Sequence, residues 1–252
     1  VKTIVIGDVH GCVAEARDLI RKCDYAHGDR IIFVGDLVDR GPDPRGVVDL
    51  AMQYESVLGN HEERMLKYWA KRNPKIGRPS QQALKFRSPE HERTYNSLEA
   101  KHFDWFATLP KFLRLPEYNA VIVHAGVVPN VPFEAQQDHI LLHGQAMLPP
   151  TGHGYWRGDE KTWWMSRAPE GAKFWTDFWR GPERVIFGHS VLSAPLVTDF
   201  AVGIDTGCCF GRSLTAVVLP EWNIVTVPAR EKYYDRGREW AYEIASGIRT
   251  VS

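Results

Sequence analysis

Thr3-Ile4-Val5-Ile6-Gly7-Asp8-Val9-His10-Gly11 stands near the start of the chain, and Ile31-Ile32-Phe33-Val34-Gly35-Asp36-Leu37-Val38-Asp39-Arg40-Gly41 repeats its form. Each is a short run of β-branched and aromatic residues closed by glycine, with an acid next in line. Runs of this length and composition read as buried strands. Between them, Val13–Lys22 sets Val13, Ala16, Leu19 and Ile20 at helical spacing. After the second run, Gly41-Pro42-Asp43-Pro44 makes a turn and opens a second predicted helix over 45–52. Strand, helix, strand, helix is the pattern of an α/β domain. In such sheets ligands collect beyond the carboxyl ends of the strands, so the polar residues after Gly7 and Gly35 mark where chemistry is to be sought.

Three more segments end in the same way: Leu58-Gly59-Asn60-His61-Glu62, Val123-His124-Ala125-Gly126 and Phe187-Gly188-His189. One Gly-Asp or Gly-His after a strand is more often a plain turn than a site. Five in the order Asp-x-His, Asp, Asn-His, His, His assemble carboxylate, imidazole and amide donors without a thiolate. That donor set suits Mn, Fe or Zn, and the glycines let the backbone turn sharply as it leaves each strand.

Further strands are expected at Ala120–Val123, 185–187, 195–205, Ser213–Leu219 and 223–227, with a turn at 220–222 and a closing helix at about 238–244. Consecutive strands late in the chain imply antiparallel pairing there. The proline-bearing stretches 73–92 and 131–154 fit no sheet. They read as loop or cap insertions in one domain spanning 1–252.

Bulk composition narrows the classes. Lys plus Arg and Asp plus Glu are each 31, so there is no net field to favour a stable nucleic-acid partner. Four cysteines (Cys12, Cys23, Cys208, Cys209) are too few for a disulfide scaffold and read as reduced thiols of a cytoplasmic protein. No signal-peptide pattern precedes the first strand, and no apolar run approaches the ~18 residues of a membrane span.

Taken together, Gly7-Asp8-Val9-His10-Gly11, Gly35-Asp36-Leu37-Val38-Asp39-Arg40-Gly41, Gly59-Asn60-His61-Glu62, His124-Ala125-Gly126 and Gly188-His189 resemble the motifs of the calcineurin-like metallophosphoesterases. More narrowly they resemble the phosphoprotein phosphatase superfamily. Gly203-Ile204-Asp205-Thr206-Gly207-Cys208, followed by Leu214-Thr215-Ala216, is similar to the bacterial diadenosine tetraphosphatase branch. The resemblance spans about residues 2–228 and implies a sandwich of two mixed sheets flanked by helices. It implies that Asp8 and His10 bind a first divalent ion, that Asp36 bridges, and that Asn60, His124 and His189 bind a second. Manganese is the expected metal, with Fe, Zn, Co and Ni as alternatives. By the same resemblance His61 is the general acid, Asp39 orients it and Arg40 holds phosphate. A second phosphate-binding arginine is expected some twenty residues before His189. Arg167 is chosen, with Arg157 and Arg180 as rivals.

The implied reaction is metal-assisted hydrolysis of a phosphoester or phosphoanhydride. The substrate is a phosphorylated small molecule, a nucleotide such as a dinucleoside polyphosphate, or alternatively a serine/threonine phosphoprotein. A silent phosphate-binding module on the same fold would be expected to lose a ligand or the Asp39–His61 pair, and none is missing. Other features have ordinary explanations. His27, His91 and His102 read as surface residues, and His139, His143 and His153 as cap residues with a lesser claim to substrate contact. Trp156, Trp163, Trp164, Trp175 and Trp179 read first as packing for the cap and second as a surface for base stacking. Nine basic against two acidic residues from Arg64 to Arg93 make a solvated face or an anion-binding one.

Overall fold

The computed structural model describes residues 1–72, 85–150, 161–164 and 167–235. Side-chain alternation along the strands decides its layers. In β1 (Thr3–Ile6), Ile4 and Ile6 face one core while Val5 faces another. In β2 (Arg30–Phe33), Ile31 and Phe33 oppose Ile32 in the same way. Strands buried on both faces need apolar residues at every position, which is why they read as unbroken runs. The first sheet is ordered β12-β11-β1-β2-β3, adding β3 (Glu55–Ser56), β11 (Ser213–Leu219) and β12 (Asn223–Pro228). β1, β2 and β3 run parallel, while β11 and β12 are antiparallel additions.

The second sheet is ordered β4-β5-β8-β10-β9. Its strands are β4 (Phe112–Leu115), β5 (Ala120–Val123), β8 (Arg184–Phe187), β9 (Leu196–Val197) and β10 (Ala201–Gly203). β5, β8 and β10 are parallel, and β4 and β9 lie antiparallel at the edges. Val5, Ile32, Val34 and Val217 of the first sheet meet Ile122, Ile186 and Val202 of the second in a shared core. Helices α1 (Val13–Lys22), α2 (Pro44–Ala51), α3 (Asn60–Arg72), α4 (Pro89–Ser97) and α5 (Ala100–Thr108) supply residues to the outer face of the first sheet. α6 (Asp138–His143) and the antiparallel pair β6 (Ala146–Met147) and β7 (Lys173–Phe174) cover the second, with Trp175 fully buried there.

Four expectations change. Residues 195–205 are a hairpin, not one strand, because the Thr198 hydroxyl accepts from the amides of Phe200 and Ala201 and folds the chain back. The 73–92 stretch is not loop throughout: Ser88 caps α4 by accepting from His91 N at 3.3 Å, and Pro89 takes the first helical position, where its missing N–H costs nothing. The 131–154 stretch contains α6 and β6. The helix expected at 238–244 lies outside the described residues. His102 is fully buried, not on the surface. Its Nδ1 accepts from Glu99 N at 2.8 Å, so its Nε2 carries the proton and donates to Asp49 at 3.0 Å, pulling that carboxyl down to about 2. Among the described residues no helix is long and apolar enough to cross a membrane.

Candidate active site

The carboxyl ends of β1, β2, β5 and β8 open onto one place, where Asp8, Asp36, His124 and His189 come next in the chain and Asn60 starts α3. All are buried. Asp36 is the centre. Its Oδ2 lies 3.4 Å from His10 Nε2 and 3.8 Å from His61 Nε2, while its Oδ1 lies 3.3 Å from His124 Nε2. His10, Asp36 and His61 form one group of converging donors, and Asp36, His124 and His189 form a second. Asp36 belongs to both. The Asn60 side-chain amide joins the second group, 2.9 Å from His124 Nε2 and 3.0 Å from His189 Nδ1. Asp8 stands beside these groups, accepting from His189 N at 3.0 Å. Glycine is required under it, since a Cβ at Gly188 would collide with Asp8 Oδ1.

The backbone is unusual here. His10, Asp36, Asp39, Arg40 and His189 have φ of 45°, 48°, 68°, 67° and 62°. Side chains other than glycine seldom occupy this region, and such residues gather at functional sites where the surroundings enforce them. Glu62 is one enforcer. It is fully buried, and its carboxylate accepts from the amides of Asp36, Leu37, Val38 and Gly59 at 2.8–3.2 Å, which locks the loop after β2 to the start of α3.

The donor chemistry fits cations. His124 Nδ1 donates to Val34 O and His10 Nδ1 donates to Val38 O, each at 2.8 Å. These bonds fix the tautomers and leave both Nε2 lone pairs aimed into the site, the arrangement that orients imidazole ligands. Burial holds His10 and His189 well below the imidazole range, so they stand ready as neutral ligands. Burial, then Asp205, then Asp36 push the Asp8 carboxyl up. A cation among these carboxylates relieves that stress.

Arg40 projects into the same space, NH1 at 2.5 Å from His10 Nε2 and NH2 donating to His61 Nε2 at 3.0 Å. His61 Nδ1 donates to the fully buried Asp39 at 2.6 Å. Arg64 and His91 back this pair. Arg64 NH1 donates to His91 Nε2 at 3.2 Å and lies 3.6 Å from Asp39 Oδ2. His91 is therefore not a surface residue. Its ring is 6.4 Å from that of His61, and α4 carries it there.

Arg167 is exposed, and among the described residues no hydrogen bond or ion pair joins its guanidinium to the site. Arg180 is taken up by the carbonyls of Thr176, Asp177 and Trp179, and Arg157 lies outside the described residues with Trp156 and His153. Trp175 and Trp179 are buried as packing, whereas Trp164 is 43% exposed with its ring 5.1 Å from that of His189. His143 also approaches His189, at 6.2 Å between rings, and His139 and His27 are exposed. Sequence reasoning misses Arg64, Asp205 and Glu62 as individual site residues. Of these Asp205 carries a visible signal, since Val202-Gly203-Ile204-Asp205 is another apolar strand ending in glycine and acid.

A profile of the calcineurin-like phosphoesterases matches residues 1–193. The chain belongs to the calcineurin-like phosphoesterase family. As a member it is a hydrolase of phosphoesters or phosphoanhydrides, and its two sheets and helices are that family's α/β fold. The asymmetrical bis(5'-nucleosyl)-tetraphosphatase PrpE of Anoxybacillus flavithermus is 28% identical over 247 residues, covering 91% of this chain and 95% of that protein. The PrpE of Oceanobacillus iheyensis is 28% identical over 253 residues, covering 92% and 94%. A crystal structure of a candidate diadenosine tetraphosphatase superposes with a TM-score of 0.74 at 29% identity, covering 90% of this chain and 93% of that one.

Proposed function

We propose that this phosphoesterase hydrolyses dinucleoside polyphosphates, and simple phosphomonoesters beside them, at a centre where Asp8, His10, Asp36, Asn60, His124 and His189 hold two divalent ions. The observation that carries this reading is the place of Asp36, whose two oxygens face separate donor groups. A carboxylate common to two cation sites offsets the repulsion between the ions. Manganese is the ion we assign, with Fe, Zn, Co and Ni as the alternatives that oxygen and imidazole donors without sulfur also accept. Two such ions, when bound, polarise phosphoryl oxygens and lower the pKa of an attacking water.

The chain's own side chains do the rest. Arg40 presents a planar fork to the phosphoryl oxygens. In the resting arrangement His61 Nε2 accepts from Arg40 and so carries no proton. An arriving phosphate draws the guanidinium to itself, and its negative charge favours protonation of Nε2. His61, held through Nδ1 by Asp39 and protonated at Nε2 from solvent, then gives that proton to the departing oxygen as water's oxygen bonds to phosphorus, the P–O bond to the leaving group breaks and the attacking water releases a proton to solvent.

Support for a nucleotide substrate comes from the near full-length likeness to proteins named as tetraphosphatases. Two local features agree. The basic excess from Arg64 to Arg93 suits a densely anionic bridge, and the exposed Trp164 offers a face on which a base can stack beside His189. Four free cysteines suit the reducing cytoplasm where such nucleotides occur. The test compares kcat/KM on diadenosine tetraphosphate and on a phosphoserine peptide at low and high salt. The dinucleotide is expected to be preferred, with its advantage shrinking as the Debye length falls from ~10 Å at 0.1 M to ~3 Å at 1 M. Efficient turnover of the peptide with the dinucleotide untouched at every salt overturns the nucleotide reading in favour of a serine/threonine phosphoprotein phosphatase.

A further inference from the structure

We propose that α4 is a positioning element for the reaction: Glu90 and His91, at its first turn, hold the Asp39–Arg40 turn in the conformation that aims His61 and Arg40 at the substrate. This rests on the roles assigned above to His61 and Arg40. Asp39 and Arg40 are consecutive non-glycine residues with φ of 68° and 67°. A pair of left-handed residues is unfavourable on its own and persists only where neighbours over-determine it.

α4 supplies those neighbours. The Glu90 carboxylate accepts from Arg40 N at 2.5 Å. It takes the backbone amide and leaves the guanidinium reaching His10 and His61. His91 acts one step further back. It accepts from Arg64 NH1 at 3.2 Å, and the same guanidinium nitrogen lies 3.6 Å from Asp39 Oδ2 and 3.2 Å from His61 Nδ1. His61 Nδ1 already donates to Asp39 at 2.6 Å, so the role left to Arg64 is to face Asp39 with positive charge and keep it an acceptor. His91 thus fixes the cation that fixes the orienting carboxylate.

The helix is anchored to do this. Ser88 and Pro89 set its start, and Glu90 sits in the first turn, where the helix dipole favours a carboxylate. At its other end Tyr95 and Leu98 are buried in the outer core, with the Tyr95 ring 5.2 Å from that of Phe103. The turn is therefore tied through one rigid helix to packing far from the chemistry.

The experiment measures kcat, KM, inhibition by inorganic phosphate and metal content for Glu90→Ala, Glu90→Gln and His91→Ala, using phenyl phosphate and 4-nitrophenyl phosphate. Loss of a group that orients an active-site ligand or acid typically costs ~10–100-fold. Glu90→Ala is expected to lower kcat by that order on phenyl phosphate and to weaken phosphate inhibition, with metal content retained. Glu90→Gln, which keeps a carbonyl acceptor for Arg40 N, should recover most of both. His91→Ala should lower kcat more on phenyl than on nitrophenyl phosphate, because only the poorer leaving group needs the proton that His61 delivers. Unchanged kinetics in Glu90→Ala and His91→Ala overturn the proposal, as does an equal loss on both substrates that Glu90→Gln does not repair. If Glu90→Ala fails to fold, the leaving-group difference in His91→Ala decides alone. Failure of the underlying reading looks different: His61→Asn itself would then show no leaving-group dependence.

Discussion

Asp36→Asn is expected to abolish turnover and to leave the protein unable to take up its full complement of metal. The substitution keeps the shape of the side chain and removes one negative charge from the atom pair common to both donor groups. It also sets an NH2 toward imidazole Nε2 atoms 3.3–3.8 Å away. The amide of His61 donates to Asp36 Oδ1 at 3.0 Å, so one orientation of the new amide also faces a donor with a donor. In the wild type, burial opposes the Asp36 charge, and the His61 amide that donates to its Oδ1 favours it. Even groups one shell out from a metal cost ~10–100-fold when removed, and a ligand shared by two sites should exceed that, on the order of 10³-fold or more. Kinetics and elemental analysis on the same preparation check it.

His61→Asn should behave differently. Turnover is expected to fall ~10²–10⁴-fold, the usual contribution of a positioned acid or base, while bound metal stays near the wild-type level. The loss should be smaller on substrates with acidic leaving groups. The reason is geometric: His61 turns its Nδ1 to Asp39 at 2.6 Å, so its Nε2 is the atom that serves the leaving group once Arg40 turns from it to the phosphate. That Nε2 is also 3.8 Å from Asp36 Oδ2, within the first donor group. A metal ligand and a proton donor are thus separable roles for one atom. An emptied site in His61→Asn would make it a ligand, and an intact one with leaving-group-dependent rates would make it the acid.

Much of the fold and site is legible in the sequence because the central strands are buried on both faces. Val5 and Ile186 look into the inter-sheet core while Ile4 and Phe187 look outward, so β1 from Ile4 and β8 from Val185 are apolar up to their ends, which Gly7 and Gly188 mark sharply. The polar residue after each glycine then stands out against the apolar run before it. The supporting residues have no such marker. Glu90 and His91 lie fifty residues from the turn they contact, in a polar stretch broken by prolines, and only the packing of α4 brings them to Arg40 and Asp39. The Ser88-Pro89 start of that helix is readable, but its orientation is not. The tryptophans show the same limit. Trp163 and Trp164 are neighbours of one composition, yet only Trp164 is both exposed and set against His189, a difference fixed by the pairing of Trp163 with Ala146. Arg167 is singled out by its distance from His189 along the chain, and its exposed position offers no such support.

If one shared carboxylate organises a two-ion centre, both ions must be present for hydrolysis. The most direct measurement strips the enzyme with a chelator, returns Mn²⁺ in steps, and follows bound metal and hydrolysis of 4-nitrophenyl phosphate together. No turnover is expected in the stripped enzyme, with full recovery only as occupancy approaches two ions per chain. Full turnover by the metal-free protein, or a maximum reached with a single ion bound, would contradict the two-ion centre.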